Sequence, residues 1–282
     1  MEILQRQRAE LDSGTAMYLD VLRRLLTASL YEESAWRLLE PKRGASGLRD
    51  RVRNAIITAL RRYGLLLVKY QRFDPDARSQ GEDQPMFGLT MVGTKRLENI
   101  QTCLESVLAD KVPGDFIECG VWRGGSSIYA RAVLKAYGVT DRSVWLADSF
   151  EGMPKLTLAE DLVDPDLSSR AYMSVSLEQV KENFRKLDLL DDKVKFLKGW
   201  FADTLPNAAV DKIAVLRLDS DHYSSTMDTL NNLYDKVSVG GYVIVDDYNW
   251  EGCRNAISEF RAKHKIKAEL IPIDRVSVYW RR

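Results

Sequence analysis

The chain has 282 residues, with 41 Lys and Arg against 41 Asp and Glu, two His and three Cys. A net charge of zero is not the footprint of a protein held mainly by nucleic-acid phosphates, and 45% apolar with 29% charged residues excludes global disorder. Three Cys without a CxxC pair exclude a disulfide framework and a Cys-zinc site, and two distant His (His222, His264) exclude a His-rich metal centre. Any bound metal is therefore expected to take carboxylate ligands.

The N-terminus, MEILQRQRAELDSG, is polar and lacks the apolar stretch of a signal peptide. No window approaches the roughly 18 apolar residues of a spanning helix, so the expectation is a soluble, cytoplasmic protein with no membrane partner. Residues 17–31 place Tyr18, Val21, Leu22, Leu25 and Leu26 at helical spacing. A second helix is predicted over 48–63, with Val52, Ile56, Ala59, Leu60 and Tyr63 on one face, after the loop PKRGASG. Between Arg37 and Arg72 lie ten basic and two acidic residues, which suit a solvated helix face or an anionic partner. Residues 74–88, DPDARSQGEDQPMFG, read as a linker or loop. The chain thus divides into an N-terminal helical region and linker, 1–88, and a main domain, 89–282.

In the main domain the pattern changes to an alternation. A helix over 95–108 carries Leu97, Ile100, Leu104 and Leu108 in one stripe. Strand-like runs follow at Phe116–Cys119, Val144–Ala147, Val194–Leu197, Ile213–Leu218 and Tyr242–Val245. Helices are predicted between and after them, at 126–137, 177–187 (Ser176 and Gln179 forming a capping box), 226–234 and 254–263. Two closing runs, Ala268–Ile273 and Val276–Trp280, read as a hairpin. Alternating strands and helices predict an α/β fold with a mostly parallel sheet covered on both faces and an antiparallel C-terminal end.

In such a sheet, ligands bind beyond the carboxyl ends of the strands. The residues found there are Glu118-Cys-Gly-Val-Trp-Arg-Gly-Gly-Ser, Asp148-Ser149, Lys198-Gly-Trp200-Phe-Ala-Asp203, Asp219-Ser-Asp221-His222 and Asp246-Asp247. Gly120, Gly124 and Gly125 permit a tight turn and close backbone approach. The loop is ECGVWRGG and not GxGxxG, and an acid inside it suits a cationic ligand better than a pyrophosphate. S-adenosylmethionine (SAM) offers a sulfonium and an amino group, and Asp148 is placed to accept bonds from ribose hydroxyls. Adjacent acids such as Asp246-Asp247 repel each other unless a cation offsets them, and a hard divalent ion such as Mg²⁺ does so through oxygen ligands. A sugar or catechol hydroxyl becomes a competent nucleophile when such an ion lowers its pKa and a nearby base takes the proton. Asp219 and His222 are both candidates for that base. The unpatterned acidic segment 156–174 is expected to form a lid over the acceptor that orders when ligands bind.

These residues resemble the macrocin-type (TylF-type) O-methyltransferases. The resemblance is carried by MVGTKRLENIQ (Met91–Gln101), FIECGVWRGGSS (Phe116–Ser127), LADSFEGMP (Leu146–Pro154), LRLDSDHYSSTMDTLNNLY (Leu216–Tyr234) and GGYVIVDDYNWEGCRNAI (Gly240–Ile257), with MYLDVLRRLLTASLYEES (Met17–Ser34) and IDRVSVYWRR at the two ends. It implies a Rossmann-like class I methyltransferase with a seven-stranded sheet, SAM at Glu118, Gly120, Ser126 and Asp148, and Mg²⁺ at Asp219, Asp246 and Asp247, with Asp219 the favoured base. It also implies that the MVGTKRL segment, with Val92 and Gly93, encloses SAM, and that Ser149, Trp200 and Asp203 complete the cofactor site. The acceptor it implies is a sugar hydroxyl of a natural product, an oligosaccharide or a polysaccharide, and the assembly a homo-oligomer built partly on N-terminal helices. A catechol-like phenol acceptor, or a non-catalytic SAM-binding module, is the alternative. Two departures stand out: the segment from Pro41 to Arg78 is longer and more basic than the family pattern, and GEDQP has Gln84 where an aromatic is expected.

Overall fold

The computed structural model describes residues 13–42, 46–83 and 85–282. Helix α1 (Ser13–Leu26) is apolar on two faces, and only one of them is covered. Leu19, Leu22 and Leu26 are buried, whereas Met17, Tyr18, Val21 and Leu25 are exposed. The helix ends at Leu26, short of the predicted 31, where Ala28 turns to a left-handed φ of 51°. A small antiparallel pair, β1 (Arg37–Leu38) and β2 (Val68–Lys69), brackets helix α2 (Leu48–Arg62). The predicted face of α2 points outward. Val52, Ile56 and Tyr63 are exposed, and Ile57 is the buried residue.

The predicted linker 74–88 contains a further helix, α3 (Pro75–Gln80). Its signals are local: Asp74 Oδ1 accepts from the amides of Asp76 and Ala77, proline opens the first turn, and Gly81 closes it at φ 70°. At six residues the helix is too short to show periodicity. Arg78 anchors it, forking onto Asp83 with Nη2 2.7 Å from Oδ2 and donating to the Thr27 carbonyl at 2.6 Å. Gln84 lies outside the described residues.

From residue 94 the chain runs α4 (Thr94–Ala109), β3 (Asp115–Cys119), α5 (Gly125–Ala136), β4 (Val144–Asp148), α6 (Leu177–Arg185), β5 (Val194–Lys198), α7 (Phe201–Thr204), β6 (Ile213–Leu218), α8 (Tyr223–Leu233), β7 (Val237–Val245), α9 (Glu251–Lys263), β8 (Ile271–Pro272) and β9 (Val278–Arg281). The sheet order is β5-β4-β3-β6-β7-β9-β8, with β3 to β7 mutually parallel and β9 antiparallel to β7 and β8. This is the expected Rossmann-like, mostly parallel seven-stranded sheet with its antiparallel C-terminal hairpin. One core packs α1, α4, α5 and α6 against the face bearing Phe116, Val215 and Ile244. The other packs α8 and α9 against Ile117, Leu216 and Val243. The chain runs outward from β3 through β4 to β5, then returns to place β6 on the other side of β3. That reversal opens a crevice between the ends of β3 and β6, where a doubly wound sheet binds its ligand.

Candidate active site

Two cavities open beyond the strand ends. The larger, about 340 Å³, runs from Gly120, Asp148 and Ser149 past Trp200 and Phe201 to Asp228 on α8, beneath Lys155–Leu158. The smaller, about 130 Å³, is lined by Thr90, Val92, Arg96, Ser126, Met173, Asp246 and Asp247 among others. Asp219 and Asp221 line both and form the wall between them.

The backbone is strained where it bends around this wall. Trp122, Phe150 and Asp221 have left-handed φ of 45°, 55° and 56°, one in each of the turns that follow β3, β4 and β6. Gly120 (φ 89°) lies so close to β6 that a Cβ would fall 1.8 Å from the Asp219 carbonyl oxygen, so only glycine fits.

On the donor side, Asp148 accepts from the amides of Val121 at 2.8 Å and Phe150 at 2.7 Å, which ties the β4 end to the glycine turn. Burial raises its pKa despite these bonds. Its oxygens keep further lone pairs for a ligand. Glu118 is 1% exposed and sits beneath the turn. It accepts from Arg217 Nη1 at 2.5 Å and from the Ser127 hydroxyl. Burial pushes its carboxyl up to about 7, against the pull of Arg217.

Oxygens of Asp219, Asp246 and Asp247 lie within 4.8 Å of one another. Both Asp246 oxygens face guanidinium groups: Oδ2 accepts from Arg96 Nη1 at 2.5 Å, and Oδ1 from Arg217 Nη2. Asp219 Oδ2 accepts from Arg217 Nη1 at 2.8 Å, and Asp247 Oδ2 from the Asp221 amide at 3.0 Å. Burial opposes the charge on Arg217, but Asp246, Asp219 and Glu118 outweigh it and hold the guanidinium protonated. The acids outnumber these two cations. Burial and mutual repulsion push Asp219 up to about 6 and Asp221 up to about 8, and raise Asp247 well above the ordinary carboxylate range. Buried like charges with only oxygen donors form a site that a hard divalent ion such as Mg²⁺ fits.

Of the residues singled out in the sequence, Gly120, Asp148, Ser149 and Trp200 line the larger cavity, Val92, Ser126, Asp246 and Asp247 the smaller, and Asp219 both. Gly93 caps α4 and packs on α3, where a Cβ would fall 2.1 Å from the Ser79 carbonyl oxygen. Asp203 is exposed on α7 and does not line the cavity. His222 is fully buried, with Nε2 3.4 Å from the Pro165 carbonyl and its ring against Trp250, and it lines neither cavity. From the acidic segment 156–174, Leu156, Thr157, Leu158 and Asp161 line the larger cavity. The segment is fastened there by Asp161, which accepts from the Ser224 amide at 2.8 Å, and by Asp164, which accepts from Gly252 at 2.7 Å. Both bonds engage orphan amides at helix N-termini.

Arg96, Arg217 and Asp221 carry no role in the sequence reading. Arg217 did leave a signal, because a charge between Leu216 and Leu218 in a fully buried strand must find partners.

A doubly wound sheet of this order, with a glycine turn over a buried acid and a carboxylate ending the next strand, defines a class I methyltransferase fold. Residues 15–282 match the macrocin-O-methyltransferase (TylF) family. The chain belongs to that family and is an O-methyltransferase. It is 42% identical over 275 residues to the mycinamicin III 3''-O-methyltransferase of Micromonospora griseorubida, covering 96% of this chain and 98% of that one. It is 51% identical over 211 residues to the 8-demethyl-8-(2,3-dimethoxy-alpha-L-rhamnosyl)-tetracenomycin-C 4'-O-methyltransferase of Streptomyces olivaceus, covering 74% and 81%. Among solved structures, the O-methyltransferase NovP superposes with a TM-score of 0.79 at 44% identity, covering 95% of this chain and 99% of that one. The calicheamicin methyltransferase CalS11, at 18% identity, shares the fold with a TM-score of 0.56 over 84% and 94%.

Proposed function

We propose that the enzyme moves the methyl group of SAM to a sugar hydroxyl of a natural product, with Mg²⁺ held by Asp219, Asp246 and Asp247. The observation that carries this reading is the shared wall: Asp219 lines both the larger cavity beside Asp148, which the reading gives to the nucleoside, and the smaller cavity lined by the acids. The sugar follows from the relative that acts on a rhamnosyl group. In this reading Gly120, Asp148, Ser149 and Trp200 hold the nucleoside, Val92 and Ser126 line the methionine end, and Glu118, once ionised above about pH 7, supplies negative charge beneath it. The ion, when bound, lowers the pKa of the acceptor hydroxyl. Asp219 takes the hydroxyl proton, the oxygen attacks the methyl carbon, the C–S bond breaks, and S-adenosylhomocysteine (SAH) leaves. Asp219 suits this role because it lines both cavities and so stands between the donor side and the acid cluster. His222 is too far inside the lid contact to compete.

Asp247→Asn is expected to reduce turnover at least about a hundredfold while SAH still binds by calorimetry, the scale of losing a transition-state charge contact. Full turnover by that variant, or in excess EDTA, refutes the metal role. A panel of deoxysugar glycosides and catechols scored by SAH release tests the acceptor, and turnover confined to catechols refutes the sugar.

The reading extends to assembly and location. α1 leaves Met17, Tyr18, Val21 and Leu25 exposed and α2 leaves Val52, Ile56 and Tyr63 exposed, which supports assembly with a second copy through the N-terminal helices. Among the described residues no helix is long and apolar enough to cross a membrane, and the three cysteines are free and buried. Both observations support placement in the cytoplasm.

A further inference from the structure

Arg217 is absent from the catalytic scheme above, yet it bonds three of the acids on which that scheme rests. It lies one residue from the carboxyl end of β6, fully buried, with Glu118 directly opposite on β3 and Ile244 opposite on β7. Strand alternation puts Glu118, Arg217, Asp219 and Asp246 on one face of the sheet. The guanidinium spans them: Nη1 donates to Glu118 at 2.5 Å and to Asp219 at 2.8 Å, and Nη2 donates to Asp246. Its Nε has no partner among the described residues, so the group is held by these three acids and not by a wider network. Arg96 adds a second guanidinium to Asp246 but does not reach Glu118 or Asp219, since its other bonds go to Asp274 and to the Gln80 carbonyl.

We propose that Arg217 is a positioning residue that couples the donor half of the site to the metal half. The inference rests on the metal and donor reading above. One planar fork is shared by Glu118 on the donor side and by Asp219 and Asp246 on the ion side. A carboxylate that releases it leaves more of its charge on the others. Glu118 supplies no oxygen to the acid cluster, yet it sets how much positive charge an incoming ion meets there. A shorter or neutral residue at 118 lets the fork settle on Asp219 and Asp246. Reciprocally, the fork holds Asp219, the proposed base, in register with the donor.

The experiment measures Mn²⁺ binding by electron paramagnetic resonance and SAH binding by calorimetry, on the full chain, with circular dichroism to confirm folding. Glu118→Gln and Glu118→Asp are each expected to weaken Mn²⁺ binding at least about fivefold, the lower end of the coupling usual between linked sites. Glu118→Asp is the discriminating variant, because it keeps the charge but retracts the carboxylate from the fork. Weakening by Glu118→Gln alone reports a direct field and overturns the proposal, as does wild-type affinity in both. Arg217→Lys keeps the charge and loses the fork, and it is expected to loosen Mn²⁺ and SAH together. A lower Tm with both affinities at wild type makes Arg217 merely structural and overturns the proposal. Wild-type protein that binds no Mn²⁺ removes the metal reading itself, a result distinct from the others.

Discussion

The buried carboxyl of Glu118 makes a stability prediction that can be worked through. Its pKa is pushed up to about 7 from the ordinary 4.5, with burial the largest cause. The folded chain therefore holds a proton on Glu118 that the unfolded chain has already lost, over the window from about pH 4.5 to about 7. Stability from this group is fully present below that window, falls as pH rises through it, and levels off above it. Each pKa unit corresponds to about 1.4 kcal/mol, so the loss between pH 4.5 and pH 8 is about 3 kcal/mol. Glu118→Gln cannot ionise, so its stability relative to wild type should rise by about 3 kcal/mol across that range. Asp219 shares Arg217 with Glu118, and in Glu118→Gln the freed fork lowers the Asp219 pKa, which adds to the difference in the same direction. The assay is equilibrium urea unfolding of both proteins at several pH values in EDTA, compared as differences in midpoint at equal slope. Parallel pH profiles refute the reasoning, because they would mean that Arg217 and Ser127 hold the carboxyl ionised at all pH values in the window.

Three further outcomes follow from the packing. Gly120→Ala drives a Cβ into the Asp219 carbonyl at a left-handed φ, and is expected to cost at least about 3 kcal/mol by thermal denaturation. Arg78→Met leaves Asp83 buried and unpaired, and is expected to cost about 3–5 kcal/mol; a Tm within a degree of wild type counts against the clasp on the Thr27 carbonyl. Asp164→Ala removes a carboxylate from the N-terminus of α9, and is expected to cost about 1 kcal/mol and to raise amide exchange in 156–174; unchanged exchange there means that Asp161 alone fastens the lid.

Much of this protein was legible in its sequence. Buried strands show as short unbroken apolar runs, such as Ile213–Leu216 in β6, and the helices between them as stripes with period near 3.6. Because β3 to β7 are parallel, these five strands end at the same rim, so reading the residue after each of them located Glu118, Asp148, Asp219, Asp246 and Asp247 together. Local turn chemistry, in contrast, was under-read at α3, where an Asp-Pro start and a Gly stop define six residues without a periodic stripe.

Periodicity shows that a helix is apolar but not what covers it. The two stripes of α1 and the outward face of α2 therefore look alike in sequence, and only packing separates the buried Leu19, Leu22 and Leu26 from the exposed Val21 and Leu25. Residue type and spacing do not report cavity lining either. His222 and Asp203 carry suitable chemistry close to the rim, yet one is turned under the lid and the other faces solvent. The sequence determined the fold, the rim and the acids on it, because these follow from local pattern and strand direction. Only the tertiary structure decided the pairing of those acids with Arg96 and Arg217, because the partners lie on α4 and on a neighbouring strand. Burial, which the tertiary structure also decided, is what raises the pKa of Glu118, Asp219, Asp221 and Asp247.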